Sequence, residues 1–217
     1  MKDCILDLNE IHCWVIDLDE HIFAVSRYLL WLSDAEKCRA ERFAFKLLKE
    51  RYIVSHGVLN MLLAGYLRSS QFEIAFSKYG KPFIKNSDVY FNLSHSNRYA
   101  CIAFANFEVG VDIEHMKQDS VIESIFSENE KYHFDTIADA MKLQAFYQAW
   151  VRKESYLKAI GTGLAQSIQA VEVGFKTPSD WFFSPISISE DYTGCIATKA
   201  RSSPKIKWCG IGPDFLI

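Results

Sequence analysis

The chain has 217 residues, of which 49% are hydrophobic and 24% charged, a balance that excludes a disordered protein and permits one large or two small packed domains. Its formal net charge of −3 argues against a dedicated nucleic-acid binder, so an anionic ligand would need a local basic cluster. The six cysteines form no CxxC pair, and no apolar run suits a secretory signal or a membrane span; we therefore expect a cytoplasmic protein with free thiols and no membrane contact.

The first predicted elements are two helices. Ser33 and Glu36 form an S-x-x-E capping box, which predicts a helix that begins there and runs toward Lys46. Helical spacing of apolar residues predicts a second helix over residues 49–66. The sequence before Ser33 carries little motif information.

A turn and three short strands follow. The turn is marked by the Gly-Lys-Pro sequence at residues 80–82. Alternation of apolar residues predicts strands over residues 89–93, 99–105 and 109–113. Residues 94–98 are predicted to form the bend between the first two strands, and the short connections predict an antiparallel meander.

Helices return in the C-terminal half, before a last group of strands. Ser127 and Glu130 form a second capping box, and the strongest helix is predicted from Met141 to Ile160, ending at Gly161. Further strands are predicted over residues 170–175, 181–185, 195–200 and 206–211.

Asp112 and Glu114 flank Ile113 on a predicted strand, so their carboxylates point to the same face. Adjacent carboxylates repel each other, and Mg²⁺ relieves the repulsion because it typically binds one or two carboxylates together with phosphate oxygens. The alternative interpretation is a solvated strand edge with ordinary charges.

Glu154 occupies an apolar stripe of the longest predicted helix, where a buried carboxylate needs a metal or a proton partner. Lys158 lies one turn further on, so Trp150, Glu154 and Lys158 share one face of the helix. An exposed Glu–Lys surface pair is the alternative. Glu130 likewise has two interpretations, as the last member of its capping box or as a site residue.

Two polar turns and a basic segment are the anion-binding candidates. Ser94 and His95 suit phosphate binding better than nucleophilic catalysis, because a G-x-S-x-G motif is absent; a polar hairpin loop is the alternative. Lys81 is either another anion contact or an exposed turn lysine. The basic segment fits a phosphate-rich ligand, an acidic protein or a solvated helix face. Its members are Lys37, Arg39, Arg42, Lys46, Lys49 and Arg51.

Taken together, these motifs resemble the surfactin-type (Sfp-type) 4′-phosphopantetheinyl transferases. The resemblance covers roughly residues 33–164, and its specificity comes from the order and spacing of several motifs. They are Gly80-Lys81-Pro82, Phe91-Asn92-Leu93-Ser94-His95-Ser96, Gly110-Val111-Asp112-Ile113-Glu114, Phe126-Ser127 with Glu130, Trp150-Val151-Arg152-Lys153-Glu154-Ser155, and Lys158, Gly161, Gly163 and Leu164. The basic helix departs from the family pattern, since Glu36 sits near one expected basic position.

The resemblance implies an α+β monomer of two similar α/β halves, residues 1–108 and 109–217, with antiparallel sheets related by a pseudo-twofold axis and coenzyme A in the cleft between them. It implies transfer of the 4′-phosphopantetheine moiety of coenzyme A to a serine of an apo acyl, peptidyl or polyketide carrier protein, with release of 3′,5′-ADP. The implied roles are Mg²⁺ binding by Asp112, Glu114 and Glu130, base catalysis by Glu154, pyrophosphate binding and neutralisation by Lys158, and coenzyme A contacts by Arg51, Gly80, Lys81, Pro82, Ser94 and His95.

Two other functions fit part of the pattern. A Mg²⁺-dependent nucleotide pyrophosphohydrolase would use the same carboxylates but pass the phosphate to water. A carrier-binding module would bind the carrier without catalysis, although the complete set of acidic and basic residues argues against it. The motifs do not distinguish fatty-acid, polyketide, nonribosomal-peptide and lysine-pathway carriers.

Overall fold

The computed structural model describes residues 4–118, 121–163, 166–200 and 202–211. Leu164, the last residue of the resemblance noted above, lies outside these ranges. Across the described ranges, no helix combines the length and the apolar character needed to cross a membrane.

Two of the described helices, α4 and α6, have 22 residues each, and the others are short. In chain order the helices are α1 (Leu18–His21), α2 (Val25–Leu29), α3 (Asp34–Ala40), α4 (Lys46–Leu67), α5 (Glu128–Asp135) and α6 (Asp139–Ile160), with 3₁₀ turns at Ile22–Ala24, Glu123–Ile125 and Ile168–Ala170. Both predicted capping boxes are present, at Ser33 and Ser127. As predicted, α6 ends at Gly161, whose φ of 72° is a left-handed conformation that glycine adopts readily.

The strands form two sheets and a separate hairpin. They are β1 (Glu10–Asp17), β2 (Ile74–Phe76), β3 (Pro82–Ile84), β4 (Tyr90–Ser96), β5 (Tyr99–Ala105), β6 (Val109–His115), β7 (Trp181–Ile186), β8 (Tyr192–Lys199) and β9 (Lys205–Gly210). The first sheet has the order β4-β5-β1-β9, the second has the order β6-β8-β7, and β2 pairs with β3. The pairs are antiparallel, apart from the parallel pair of β1 and β9. The fold is therefore mixed α+β with mainly antiparallel sheets.

β4 and β5 form the predicted hairpin, but the predicted three-stranded meander is wrong. β6 pairs with β8, while β5 pairs with β1, a strand in the segment before Ser33 for which no element was predicted. The bend predicted over residues 94–98 is also too long. β4 continues to Ser96, which pairs with Tyr99, and the turn contains only Asn97 and Arg98.

The strand predicted over residues 170–175 is wrong as well. The backbone of this segment bonds to side chains of α5 and α6, through Val171 O to Lys153 Nζ (2.7 Å), Val173 O to Arg152 Nε (2.8 Å) and Gly174 N to Glu130 Oε1 (2.8 Å). Backbone groups that already have these partners are not available to a neighbouring strand.

The two sheets pack against each other, and a long helix covers the outer face of each. Trp14, Leu62 and Phe104 belong to the apolar cluster between α4 and the first sheet. Ile11 and Ile113 belong to a second apolar cluster, between the two sheets. Because side chains alternate along a strand, the β6 residues on either side of Ile113 point away from this cluster, toward α6.

Gly110 allows α6 to approach β6 at backbone distance. A Cβ atom at this position would lie 2.0 Å from the Ser155 carbonyl oxygen and 2.4 Å from the Ala159 nitrogen. Any larger residue would therefore push the helix away from the strand, and with it the acidic and basic side chains that the helix carries.

Candidate active site

Strand β4 is joined to β6 by polar side chains rather than by its backbone. The side-chain oxygens of Asn92, Ser94 and Ser96 accept the backbone N–H groups of Val111, Ile113 and His115, at 2.8, 3.3 and 3.1 Å respectively. Alternate residues of β4 thus form a seam with alternate residues of β6. We call these six residues the β4–β6 seam; it fixes the position of the two strands at the edges of their sheets.

The serines of the seam also hold the two carboxylates predicted as metal ligands. Ser94 Oγ donates to Asp112 Oδ1 at 2.8 Å, and Ser96 Oγ donates to Glu114 Oε2 at 2.7 Å. Lys158 Nζ reaches the same Asp112 oxygen at 2.6 Å and lies 3.1 Å from Ser94 Oγ. The structure therefore brings together Ser94, Asp112, Glu114 and Lys158 from three elements.

Asp112 has one oxygen without a partner. The residue is 3% exposed, and its Oδ2 atom is buried with no hydrogen-bond donor. A buried carboxylate oxygen in this state is unfavourable unless a cation or a donor meets it. Asp112 is thus prepared to bind a further positively charged group.

Glu154 lies on the same side of α6 as Lys158. Burial raises the pKa of the Glu154 carboxyl, the negative charges of Asp112 and Glu114 raise it further, and Lys158 opposes them. Burial also raises the pKa of Glu114, with Asp112 adding to the effect while a hydrogen bond from Ser96 opposes it. The three carboxyl groups are therefore close enough to repel one another. Within the described ranges, however, no three His, Cys, Asp or Glu side chains are arranged as a ready metal site.

Glu130 has a different environment. Its carboxylate forms a buried ion pair with Lys153, accepts the Gly174 N–H at 2.8 Å and accepts the Ser127 N–H at 3.1 Å. Both oxygens have partners, and these partners do not include Asp112, Glu114 or Lys158. The capping-box interpretation of Glu130 is confirmed, and the structure does not bring this carboxylate to the other two predicted metal ligands.

Arg51 and His95 lie near the C-terminal end of β4, where the turn at Asn97 begins. Both line a cavity of about 480 Å³. The Arg51 guanidinium donates twice to Asp19, at 2.8 Å each, and once to Asn97 Oδ1 at 2.8 Å. Partial loss of hydration lowers the pKa of His95, and the positive charge of Lys158 lowers it further, although the residue is still exposed at the surface.

The Gly80-Lys81-Pro82 turn lies against the end of α6. Gly80 has a φ of 87°, and Lys81 Nζ donates to the Ala159 carbonyl oxygen at 2.5 Å. Burial lowers the pKa of Lys81. This turn and Lys158 line a cavity of about 160 Å³, distinct from the one beside Arg51 and His95.

The sequence analysis did not predict the β4–β6 seam or the burial of Lys153 on α6. Asn92, Ser94 and Ser96 alternate as N-x-S-x-S on a strand, and this period of two was the signal for one shared face. The bend predicted over residues 94–98 hides this signal, because it ends the strand before Ser94 and Ser96. Lys153 is fully buried; it belongs to the motif at residues 150–155, but helical spacing alone does not separate it from a surface lysine.

Comparison with known proteins identifies the family of this chain. Residues 108–201 match the family described as the 4′-phosphopantetheinyl transferase superfamily. The 4′-phosphopantetheinyl transferase HetI of Nostoc sp. (strain PCC 7120 / SAG 25.82 / UTEX 2576) is 32% identical over 183 residues, which cover 79% of this chain and 76% of that protein. The transferase ffp of Bacillus subtilis is 31% identical over 187 residues, covering 83% and 81%. The transferase Sfp of Bacillus subtilis (strain 168) is 28% identical over 198 residues, covering 87% and 86%.

Proposed function

The chain belongs to the 4′-phosphopantetheinyl transferases, and we propose how the groups around Asp112 transfer phosphopantetheine from coenzyme A to a serine of an apo carrier protein. The observation that carries the proposal is the contact of Ser94, Asp112 and Lys158 beside the carboxyl groups of Glu114 and Glu154. A cluster of carboxylates with one lysine suits phosphoryl transfer, in which negative charge develops on the transferred and leaving oxygens.

The residues of the cluster fit a Mg²⁺ ion. Asp112 offers a buried oxygen without a partner, and Glu114 adds a second carboxylate on the same face of β6. Mg²⁺ typically takes one or two carboxylates and completes its shell with water and phosphate oxygens. When bound, the ion supplies positive charge that stabilises the pyrophosphate. We do not include Glu130 among the proposed Mg²⁺ ligands, because its carboxylate forms an ion pair with Lys153.

Glu154 is proposed to act as the general base toward the carrier serine. Its pKa is raised by burial and by Asp112 and Glu114, which makes the ionised carboxylate a stronger proton acceptor than an exposed glutamate. The serine oxygen forms a bond to the phosphorus next to the pantetheine arm while its proton passes to Glu154. The bond from that phosphorus to the bridging oxygen breaks, and its electron pair leaves with 3′,5′-ADP.

Lys158 is proposed to stabilise the leaving group. Its ammonium already contacts Asp112 and Ser94, so it is positioned at the carboxylate cluster before substrate arrives. A fixed cation at this place would neutralise the charge that grows on the departing oxygen. Ser94 is 5% exposed and its hydroxyl is engaged, so we propose that it orients Asp112 and Lys158 and does not contact phosphate itself.

We place the nucleotide end of coenzyme A along β4 and the Gly80-Lys81-Pro82 turn. Arg51 and His95 provide donors in one cavity, and the turn lines the other cavity together with Lys158. A pyrophosphate at Lys158 would lie between these two groups of donors. The imidazole of His95 can donate a hydrogen bond to a phosphate oxygen, as proposed from the sequence.

The proposal includes two related halves, residues 1–108 and 109–217, and a cleft between them for coenzyme A. Each half contains one 22-residue helix packed on a sheet, α4 in the first and α6 in the second, which supports a pseudo-twofold relation. β9 from the second half pairs with β1 of the first, so the halves share one sheet. We expect the enzyme to act as a monomer in the cytoplasm.

The test is transfer to several apo carrier proteins of fatty-acid, polyketide and nonribosomal-peptide type, with coenzyme A and Mg²⁺. Mass spectrometry should show that the carrier gains one phosphopantetheine group, and that a carrier with Ser→Ala at its acceptor gains none. Release of 3′,5′-ADP at the same rate without any carrier would instead identify a pyrophosphohydrolase.

A further inference from the structure

Lys153 is a charged residue buried completely in the C-terminal half. Its side chain has 0% exposure, and that of its partner Glu130 has 6%. Lys153 Nζ also donates to the carbonyl oxygens of Ile125 (2.9 Å), Ile168 (3.0 Å) and Val171 (2.7 Å). Burial of a charge is unfavourable unless it is paired and hydrogen-bonded, and here four acceptors surround one ammonium.

The Glu130 carboxylate is the second half of this buried pair, and we call Lys153, Glu130 and their hydrogen-bond partners the junction. It accepts N–H groups from the start of α5 and from Gly174, besides its ion pair with Lys153. There is little space for any other arrangement, because a Cβ on Gly174 would lie 2.9 Å from Glu130 Oε1 and 3.1 Å from the Ala149 Cβ. The pair thus connects α6 to α5 and to two loop segments.

The position of Lys153 on α6 links this junction to the cluster around Asp112. Lys153 directly precedes Glu154 in the sequence, so their side chains leave the helix about 100° apart. Glu154 and Lys158, four residues apart, share the face toward β6. A directional anchor on one face therefore sets the rotation of the helix, and with it the place of the two side chains on the other face.

Apolar packing alone would fix this rotation less well. Phe146 of α6 packs with Phe126 and Phe134 in an apolar cluster, and these contacts are non-directional. A hydrogen-bonded charge defines a direction, and a misplacement of about 1 Å at a reacting group can lower a rate about 100-fold.

We propose that Lys153 and Glu130 are a buried positioning pair, which sets the rotation of α6 and so holds Glu154 and Lys158 against β6. Glu130 then serves the reaction through Lys153 and is not a metal ligand. This inference rests on the roles proposed above for Glu154 and Lys158.

The experiment compares Lys153→Met, Glu130→Gln and the double variant with wild type. Lys142→Met is the matched control, since Lys142 is on the same helix in a surface ion pair with Asp139. For each protein we would measure kcat, KM for coenzyme A, the Mg²⁺ concentration for half-maximal rate, coenzyme A binding by calorimetry, and the midpoint of thermal unfolding.

Each single variant should lower kcat by about 10- to 100-fold, the usual effect of losing a residue that orients a functional group. The Mg²⁺ requirement and coenzyme A affinity should remain near wild type. The double variant should recover part of the unfolding midpoint lost in Lys153→Met, because it leaves no uncompensated buried carboxylate, yet it should not recover kcat. Lys142→Met should match wild type in kcat.

Two outcomes would overturn the proposal. If Glu130→Gln raised the Mg²⁺ requirement more than about tenfold and excess Mg²⁺ restored its rate, Glu130 would be a metal ligand. If the single variants kept wild-type kcat and lost only thermal stability, the pair would be structural alone. Should Lys153→Met fail to fold, the nearly isosteric Glu130→Gln decides by the same readouts. A Glu154→Gln variant with wild-type kcat would refute the proposed catalytic roles and not the positioning.

Discussion

Asp112 and Glu154 are both carboxylates, but their neighbours differ, and we therefore propose different tasks for them. Asp112 is held by Ser94 and Lys158 through one oxygen and keeps the other free. The Glu154 carboxyl has a pKa raised by burial and by neighbouring negative charge. The first environment suits a ligand for a cation, and the second suits a proton acceptor.

Substitution should separate these tasks. Asp112→Asn should raise the Mg²⁺ concentration needed for half-maximal rate, because it weakens the metal site. Glu154→Gln should lower kcat by about 100- to 10,000-fold, the usual worth of a general base, with a nearly unchanged Mg²⁺ requirement. Mg²⁺ titration of turnover measures the Mg²⁺ requirement and kcat, and calorimetry measures coenzyme A binding. Near-normal kcat in Glu154→Gln, or full rescue of that variant by Mg²⁺, would contradict the division.

His56 should make the stability of the protein sensitive to acid. Burial lowers its pKa from 6.5 to about 4, and the ring stacks on Tyr52 with centroids 4.0 Å apart. Between these two pH values the unfolded chain binds a proton at His56 and the folded chain does not, so stability falls as the pH falls through this window. The loss at this site is on the order of 3 kcal/mol.

The acid sensitivity should be reduced in His56→Gln. Urea unfolding of wild type and variant at several pH values from 7 to about 4 gives the difference in free energy of unfolding. The carboxyl groups that titrate near pH 4 are common to both proteins and cancel in the difference. Curves that stay parallel across the whole window would show that His56 is not the source.

At the scale of secondary-structure elements, the close approach of α6 to β6 depends on Gly110. A methyl group there would meet backbone atoms of α6, which cannot rotate away as a side chain would. We expect Gly110→Ala to destabilise the protein by about 1–3 kcal/mol or more and to lower kcat by displacing Glu154 and Lys158. Gly210→Ala is the control, because a Cβ there has no neighbour within 4 Å. Thermal unfolding and turnover would show the contrast; equal behaviour of the two variants would argue against it.

The elements that sequence patterns predicted well are those that local signals define. The capping boxes at Ser33 and Ser127 and the glycine stop at Gly161 depend on residues a few positions apart, and all three are present. The same is true of the β4–β5 hairpin. Pairing partners distant in sequence were not predictable in this way: β1 lies about ninety residues from β5 along the chain, and its pairing displaces the expected meander.

The arrangement of the candidate site was predictable in part for the same reason. Asp112 and Glu114 share a face through strand alternation, and Glu154 and Lys158 share one through helical spacing. That these two faces meet depends on long-range packing, which the family resemblance suggested and periodicity alone could not. Glu130 shows the limit: its capping box is local and was recognised, whereas its pairing with Lys153 joins separate elements.

At the scale of the whole molecule, several kinds of contact cross the boundary between residues 1–108 and 109–217. β9 pairs with β1, the β4–β6 seam joins the two sheets, and His21 Nε2 lies 3.0 Å from the Ile211 carbonyl oxygen. The cleft proposed for coenzyme A is formed from both sides of this boundary. Its geometry therefore depends on the two halves folding as one unit.

We expect unfolding to be a single cooperative transition. Since β1 lies between β5 and β9, a chain that ends at residue 204 should leave one edge of β1 without its strand partner, and it should be much less stable than a chain that ends at residue 211. Single-tryptophan variants that retain Trp14 in the first half or Trp181 in the second report on each half separately. Their urea transitions should coincide with each other and with the loss of circular dichroism, as in two-state unfolding. Two separated midpoints, together with unchanged stability of the first half after removal of β9, would show that the halves are independent domains.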